Sequence, residues 1–133
     1  MATVVPNPQG FKTVIPWFRD GKDLTGRVTG ADIAAGTLVK YVVGGTSQVP
    51  NVSTAAAGDV CAGIAGKDAK VGEIVHYIAG GVMEGVAGAD LIANDEVQAG
   101  PDGTLIKLAA GKKVGVITCN IASGGAAAVR LSV

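Results

Sequence analysis

Apolar residues in this chain come in short runs divided by glycine. Six runs have strand length: 37–43, 59–65, 73–79, 104–109, 114–121 and 126–133. Turn residues recur at about ten-residue spacing, which predicts a β-sandwich or barrel. The last run alternates cleanly, with Val129, Leu131 and Val133 on one face and Arg130 and Ser132 on the other. No segment carries the 3.6-residue periodicity of an amphipathic helix. Ala31–Ala35 and Ala87–Ala93 could each form a single helical turn, but glycines bound them closely.

The glycines follow a pattern. Gly30-Ala31-Asp32-Ile33-Ala34-Ala35-Gly36-Thr37-Leu38-Val39 resembles Gly88-Ala89-Asp90-Leu91-Ile92-Ala93-Asn94-Asp95-Glu96-Val97, a weak internal repeat. Gly58-Asp59-Val60 and Gly72-Glu73-Ile74 repeat its strand-starting core. Glycine and asparagine tolerate positive φ best, so these positions read as turns that reverse the chain before a strand.

Residues 1–27 differ from the rest. They hold three of the five prolines (Pro6, Pro8, Pro16) and three of the five aromatics (Phe11, Trp17, Phe18). Proline favours extended backbone over helix. The expectation is an extended N-terminal arm over 1–27 and a β-barrel-like domain over 28–133. Phe11, Pro16, Trp17, Phe18 and Arg19 are the candidate partner-contact residues, because adjacent Trp and Arg are enriched at interface hot spots. The alternative is that the arm's aromatics plug their own domain.

Composition narrows the function classes. Eleven Lys and Arg balance eleven Asp and Glu, and a phosphate-gripping protein needs a basic excess, so no nucleic-acid partner is expected. Apolar residues make up 48% of the chain and aromatics 4%, with mean hydropathy +0.41. That mixture suits apolar surface buried between subunits. No 18-residue apolar window occurs, so no membrane span is expected. The N-terminus lacks the basic start and apolar core of a signal peptide. Two cysteines, Cys61 and Cys119, make no disulfide framework and are expected to be reduced and buried. The sequon Asn51-Val52-Ser53 is expected to carry no glycan.

No catalytic or phosphate-binding motif is present in the sequence. The pairs Gly21-Lys22, Gly66-Lys67 and Gly111-Lys112 lack both the upstream glycine and the following Ser or Thr of a P-loop. No two glycines flank a single residue, so the dinucleotide fingerprint is absent as well. His76, the sole histidine, shares a strand face with Ile74 and Ile78 and reads as a structural residue. One His and two separated Cys cannot make a structural zinc set within one chain. Asp95 and Glu96, the clustered carboxylates, are adjacent and would point to opposite faces of a strand. No catalytic residue, metal or cofactor is expected, and the chain reads as a non-enzyme.

From Gly30 to Val133 the sequence resembles the small capsid decoration, or cement, proteins of tailed bacteriophages. The resembling residues are the Gly30–Val39 segment, Gly58-Asp59-Val60-Cys61-Ala62-Gly63-Ile64-Ala65, Gly72-Glu73-Ile74-Val75, Gly80-Gly81-Val82, Ala109–Val116 and Val129-Arg130-Leu131. The resemblance implies an all-β fold, a compact small β-barrel or β-tulip. It implies a homotrimer on the outside of an icosahedral phage head that bridges neighbouring major capsid subunits. The protein would then reside on the virion exterior, after assembly in the host cytoplasm. A rival class is a carrier or ligand-binding barrel of the biotinyl or lipoyl kind. Its modified lysine would be Lys67, which lacks the usual neighbouring methionine. A third is a trimeric β-fold hydrolase with a site shared between subunits, for which no motif is present.

Overall fold

The computed structural model describes residues 24–46 and 48–132. They form ten strands: β1 (Leu24–Val28), β2 (Leu38–Gly45), β3 (Pro50–Thr54), β4 (Gly63–Ala65), β5 (Ile74–Ile78), β6 (Val82–Val86), β7 (Glu96–Ala99), β8 (Leu105–Lys107), β9 (Gly115–Ile117) and β10 (Ala126–Leu131). One 3-10 turn, Pro101–Gly103, is the sole helical element among the described residues. Neither 31–35 nor 87–93 forms a helical turn, in line with the absence of helical periodicity. Ile33 and Leu91 instead make isolated bridges to Ala69 and Ile121. The all-β class and the small barrel expected from the sequence are what the chain adopts.

The strands fall into two five-stranded units. In the first, the order β1-β3-β2-β4-β5 closes into a barrel, with β5 returning antiparallel to β1. In the second, the order is β6-β10-β9-β7-β8, and a parallel Ala87–Leu105 bridge brings its two ends together. The pairings correspond one to one. β1–β5, β2–β3, β2–β4 and β4–β5 in the first unit match β6–β10, β7–β8, β7–β9 and β9–β10 in the second. The weak sequence repeat is therefore a repeat of architecture.

The turns repeat in atomic detail. Gly36 has φ 82° and Asn94, its counterpart, has φ 74°, the left-handed conformation these two residue types accept most readily. Val71 N–H donates to Asp32 Oδ1 at 3.0 Å, and Ser123 N–H donates to Asp90 Oδ1 at 2.9 Å. Ala35 N–H donates to Asp68 Oδ1 at 2.8 Å, and Ala93 N–H donates to Asn120 Oδ1 at 2.9 Å. Close approach repeats too. A Cβ on Gly63 would collide with the Ile78 carbonyl, and one on Gly115 with that of Arg130.

Each unit has its own apolar cluster, and the two meet. Val28, Ile33, Val39, Val52, Val75 and Tyr77 fill the first barrel. The second cluster contains Leu91, Val97, Leu105, Ile117 and Val129, and it also takes in Leu38, Ala55 and Ile64 from the first unit. Alternation explains this sharing: along β2, Val39 points into its own barrel while Leu38 points out into its neighbour's core. Both are 0% exposed.

Several boundaries differ from the sequence reading. β1 begins at Leu24, so residues 24–27, assigned to the arm, are part of the barrel. Strands β1, β3, β6 and β7 were not expected. Of the 59–65 run only Gly63–Ala65 is strand, because Asp59 is used to cap the preceding turn. Cys119 is exposed and Cys61 half-buried, which corrects the expectation that both are buried; both are free thiols.

Candidate functional site

The five arm residues nominated as partner contacts, Phe11, Pro16, Trp17, Phe18 and Arg19, lie outside the described residues. What the structure places is the end of the barrel from which that segment leaves. Leu24, the first residue of β1, pairs with Tyr77 near the C-terminal end of β5. Tyr77 is buried, and its hydroxyl meets that of Tyr41 at 2.7 Å. The two rings are edge-to-face, 6.1 Å apart. Burial pushes the Tyr77 phenol well above its ordinary pKa, with the Tyr41 hydrogen bond adding to the effect. The pair links β2 to β5 beside Leu24, the first described residue.

Beyond this pair, β2 and β3 continue as a ribbon. A bulge between Val42 and Gly45 bends it, and the Asn51 side chain donates to Val43 O at 3.3 Å across the bend. Tyr41 is 56% exposed and Val43 97%. These two were missed in the sequence. The alternation Val39, Tyr41, Val43 is present in the sequence, but nothing local to it separates the buried Val39 from the two exposed positions.

The ionisable clusters serve the turns. Asp32, Asp68 and Glu73 line an open depression of about 400 Å³ beside Ile33. Each is already committed to a backbone N–H, Glu73 accepting from Lys70 at 2.7 Å. No group of three or more metal-ligating side chains occurs among the described residues. Asp59 accepts from Lys40 at 3.0 Å and from Ala56 N–H at 2.9 Å, and these bonds hold its carboxyl below the usual range. Burial, with the Asp59 charge adding, pushes the Cys61 thiol up to about 11, which makes it a poor nucleophile at neutral pH.

Asp95 and Glu96 are divided by role, since Asp95 caps the Ile92 N–H and Glu96 pairs with Lys113 at 2.8 Å. His76 is half-buried, with its ring lying over Gly66, where a Cβ would collide with it. Lys67 follows β4 in a loop pinned by the Ile33–Ala69 bridge and by Asp68. It is not at the tip of a tight hairpin.

The described residues form one closed five-stranded barrel and a five-stranded sheet that repeats its strand order. The chain is similar in fold to a phage head-fiber base. The solved structure is that of the N base of head fiber gp8.5 from bacteriophage phi29. It aligns with a TM-score of 0.69 over 81% of this chain and 91% of that one, at 22% sequence identity. No family model and no curated protein matches the chain. The likeness covers nearly the whole of the phi29 base, so both barrel units take part in it.

Proposed function

We propose that this protein is a structural component of a phage head. In this reading it is a decoration protein that sits on the outer surface of the icosahedral shell as a homotrimer and bridges neighbouring major capsid subunits. It has no enzymatic role. The observation that carries the proposal is the fold shared with the phi29 head-fiber base across 91% of that chain.

The physical features are consistent with the role. A shell clamp acts in many copies, each with a modest interface, and symmetry supplies avidity. Two barrels joined through Leu38, Ala55 and Ile64 give a stiff body for such a clamp. Equal numbers of acidic and basic residues keep it from non-specific polyanion binding during assembly in the host cytoplasm. Leu24, the first described residue, lies beside the Tyr77–Tyr41 pair at the base of the ribbon, which makes that end the candidate for the shell-facing surface.

The test has two arms. The purified chain, 13.1 kDa, should have the solution mass of a trimer, about 39 kDa. Added to heads that lack it, it should raise the temperature at which they rupture. A monomeric protein that leaves the rupture temperature unchanged would overturn the reading.

A further inference from the structure

The two pseudo-equivalent hairpins differ in length, charge and placement. β2 runs for eight residues and β7, its counterpart, for four. The second unit's hairpin carries Glu96, Asp102 and Lys107, and its Pro101–Gly103 turn packs on the first unit. A Cβ on Gly103 would lie 2.9 Å from Leu38 O and 3.0 Å from Thr54 Cγ2. The first unit's hairpin instead overruns its barrel and exposes Tyr41 and Val43.

The overrun has a bare edge. Ala55 N–H donates to Leu38 O, so the peptide groups of Leu38, Lys40 and Val42 face β3 and those of Tyr41 face away from it. On that far side β4 pairs with Leu38 and Val39 alone, and no strand among the described residues stands beside Tyr41. Sheet edges are ordinarily blunted by lysine or by an inward charge. This one is not. Residues 41–58 are the longest uncharged stretch of the chain, 18 positions. Lys40 is on the opposite face from Tyr41, and Asp59 holds its ammonium at 3.0 Å. Among the described residues, Val43 is the only exposed large apolar side chain with no charged residue within two positions of it.

The missing charge decides the occupant. Copies of one chain that meet through the same patch bring identical charges together, so such a patch has to be neutral. A partner recognised by opposite charge would need charged positions to read. We infer that the Tyr41–Val43 flank of the β2–β3 ribbon is the contact between copies of this chain, with the ribbons of three copies packed together about the three-fold axis. The inference rests on the homotrimer of the proposed function and names the surface that builds it. Val43 meets the partner subunit's Val43 at the axis. Tyr41 packs beside it, already ordered by its 2.7 Å hydrogen bond to Tyr77, which lowers the entropy lost on association. The contact uses the flank of the ribbon, so the barrel end beside Leu24 stays free to face the shell.

The full-length protein supplies the test, with its mass followed by sedimentation equilibrium over a dilution series. The unmodified chain should hold the mass of a trimer, about 39 kDa. Val43→Lys brings three ammonium groups to an apolar contact. It should raise the dissociation constant at least about a hundredfold and give 13.1 kDa at concentrations where the unmodified chain is trimeric. The variant leaves the fold intact, because Val43 is 97% exposed, and an unchanged circular dichroism spectrum checks this. Val60→Lys, at an exposed valine beside Asp59, should leave the mass unchanged.

Proximity is read from the Val43→Cys variant in a Cys61→Ser/Cys119→Ser background, treated with a short bismaleimide. The expected product is a covalent dimer on a denaturing gel, whereas Val60→Cys in the same background stays monomeric. A trimer that survives Val43→Lys, or one that yields no covalent dimer through position 43, would overturn the contact and leave the trimer standing. A monomeric unmodified protein would overturn both. None of these readouts involves a phage head, so the head assignment is judged separately, by head binding.

Discussion

Leu38→Ala tests whether the two barrels share one core. Leu38 is 0% exposed, sits opposite Ile64 across the β2–β4 pair, and points away from its own barrel into the second cluster. Its side chain belongs to the cluster that contains Ile64, Val97 and Leu105, so truncation leaves a cavity among them. Large-to-small changes at such sites cost about 3–4 kcal/mol. Against a total stability of about 5–15 kcal/mol for a domain, that is a large fraction. For a chain of this length it corresponds to a fall in Tm of roughly 10 °C.

The assay is urea and thermal unfolding followed by circular dichroism, with Val82→Ala, a 57% exposed strand residue, as the control. The control should stay within about 0.5 kcal/mol. The loss should come in a single transition, because the second unit loses a core residue supplied by the first. A cost below about 1 kcal/mol, or two separate transitions in the unmodified protein, would refute the shared core.

Other outcomes follow from the same geometry. Asp32→Ala and Asp90→Ala each remove the acceptor for one backbone N–H at equivalent turns, so each should cost about 1 kcal/mol by urea denaturation, and the two costs should match. Iodoacetamide at neutral pH should label Cys119 and leave Cys61 unlabelled over the same interval, as read by intact mass. The Cys61 thiol, near 11 against an ordinary 9.0, holds about a hundredfold less thiolate than a free one. The sign of its effect on stability follows from linkage. The unfolded chain ionises first, so the contribution is complete below pH 9 and fades as pH rises from 9 towards 11. Deleting residues 1–23 should leave a folded domain with weaker head binding. Deleting 1–27 should unfold the first barrel, because it removes β1 up to its last residue. His76→Gln should leave head binding unchanged.

Much of the fold could be read in the chain because its turns carry residue-specific signals. Gly36 and Asn94 were recognisable as equivalent, since few other residues take positive φ, and the structure gives them nearly the same angle. The β10 alternation was equally plain: Val129 and Leu131 are buried and Arg130 is exposed. The remaining strands lack such signals for physical reasons. β7 is covered on both faces, so Val97, Gln98 and Ala99 show no alternation. β6 places Gly85 directly after its single charged residue, Glu84, and looks like loop, and β3 opens with a proline.

The candidate surface was only half legible. The arm's composition pointed to a contact, but the ribbon it leaves beside depends on how far β2 overruns its barrel. That overrun is set by pairing with β3, which no local pattern encodes.

The central claim is the phage-head role, and co-sedimentation tests it most directly. Heads of the phage to which the proposal assigns this chain, prepared without it, are mixed with increasing amounts of the purified protein and pelleted. The account predicts saturable binding at a fixed number of copies per head, with density over three-fold positions in images of the pelleted particles. Protein that stays in the supernatant at every ratio would contradict it.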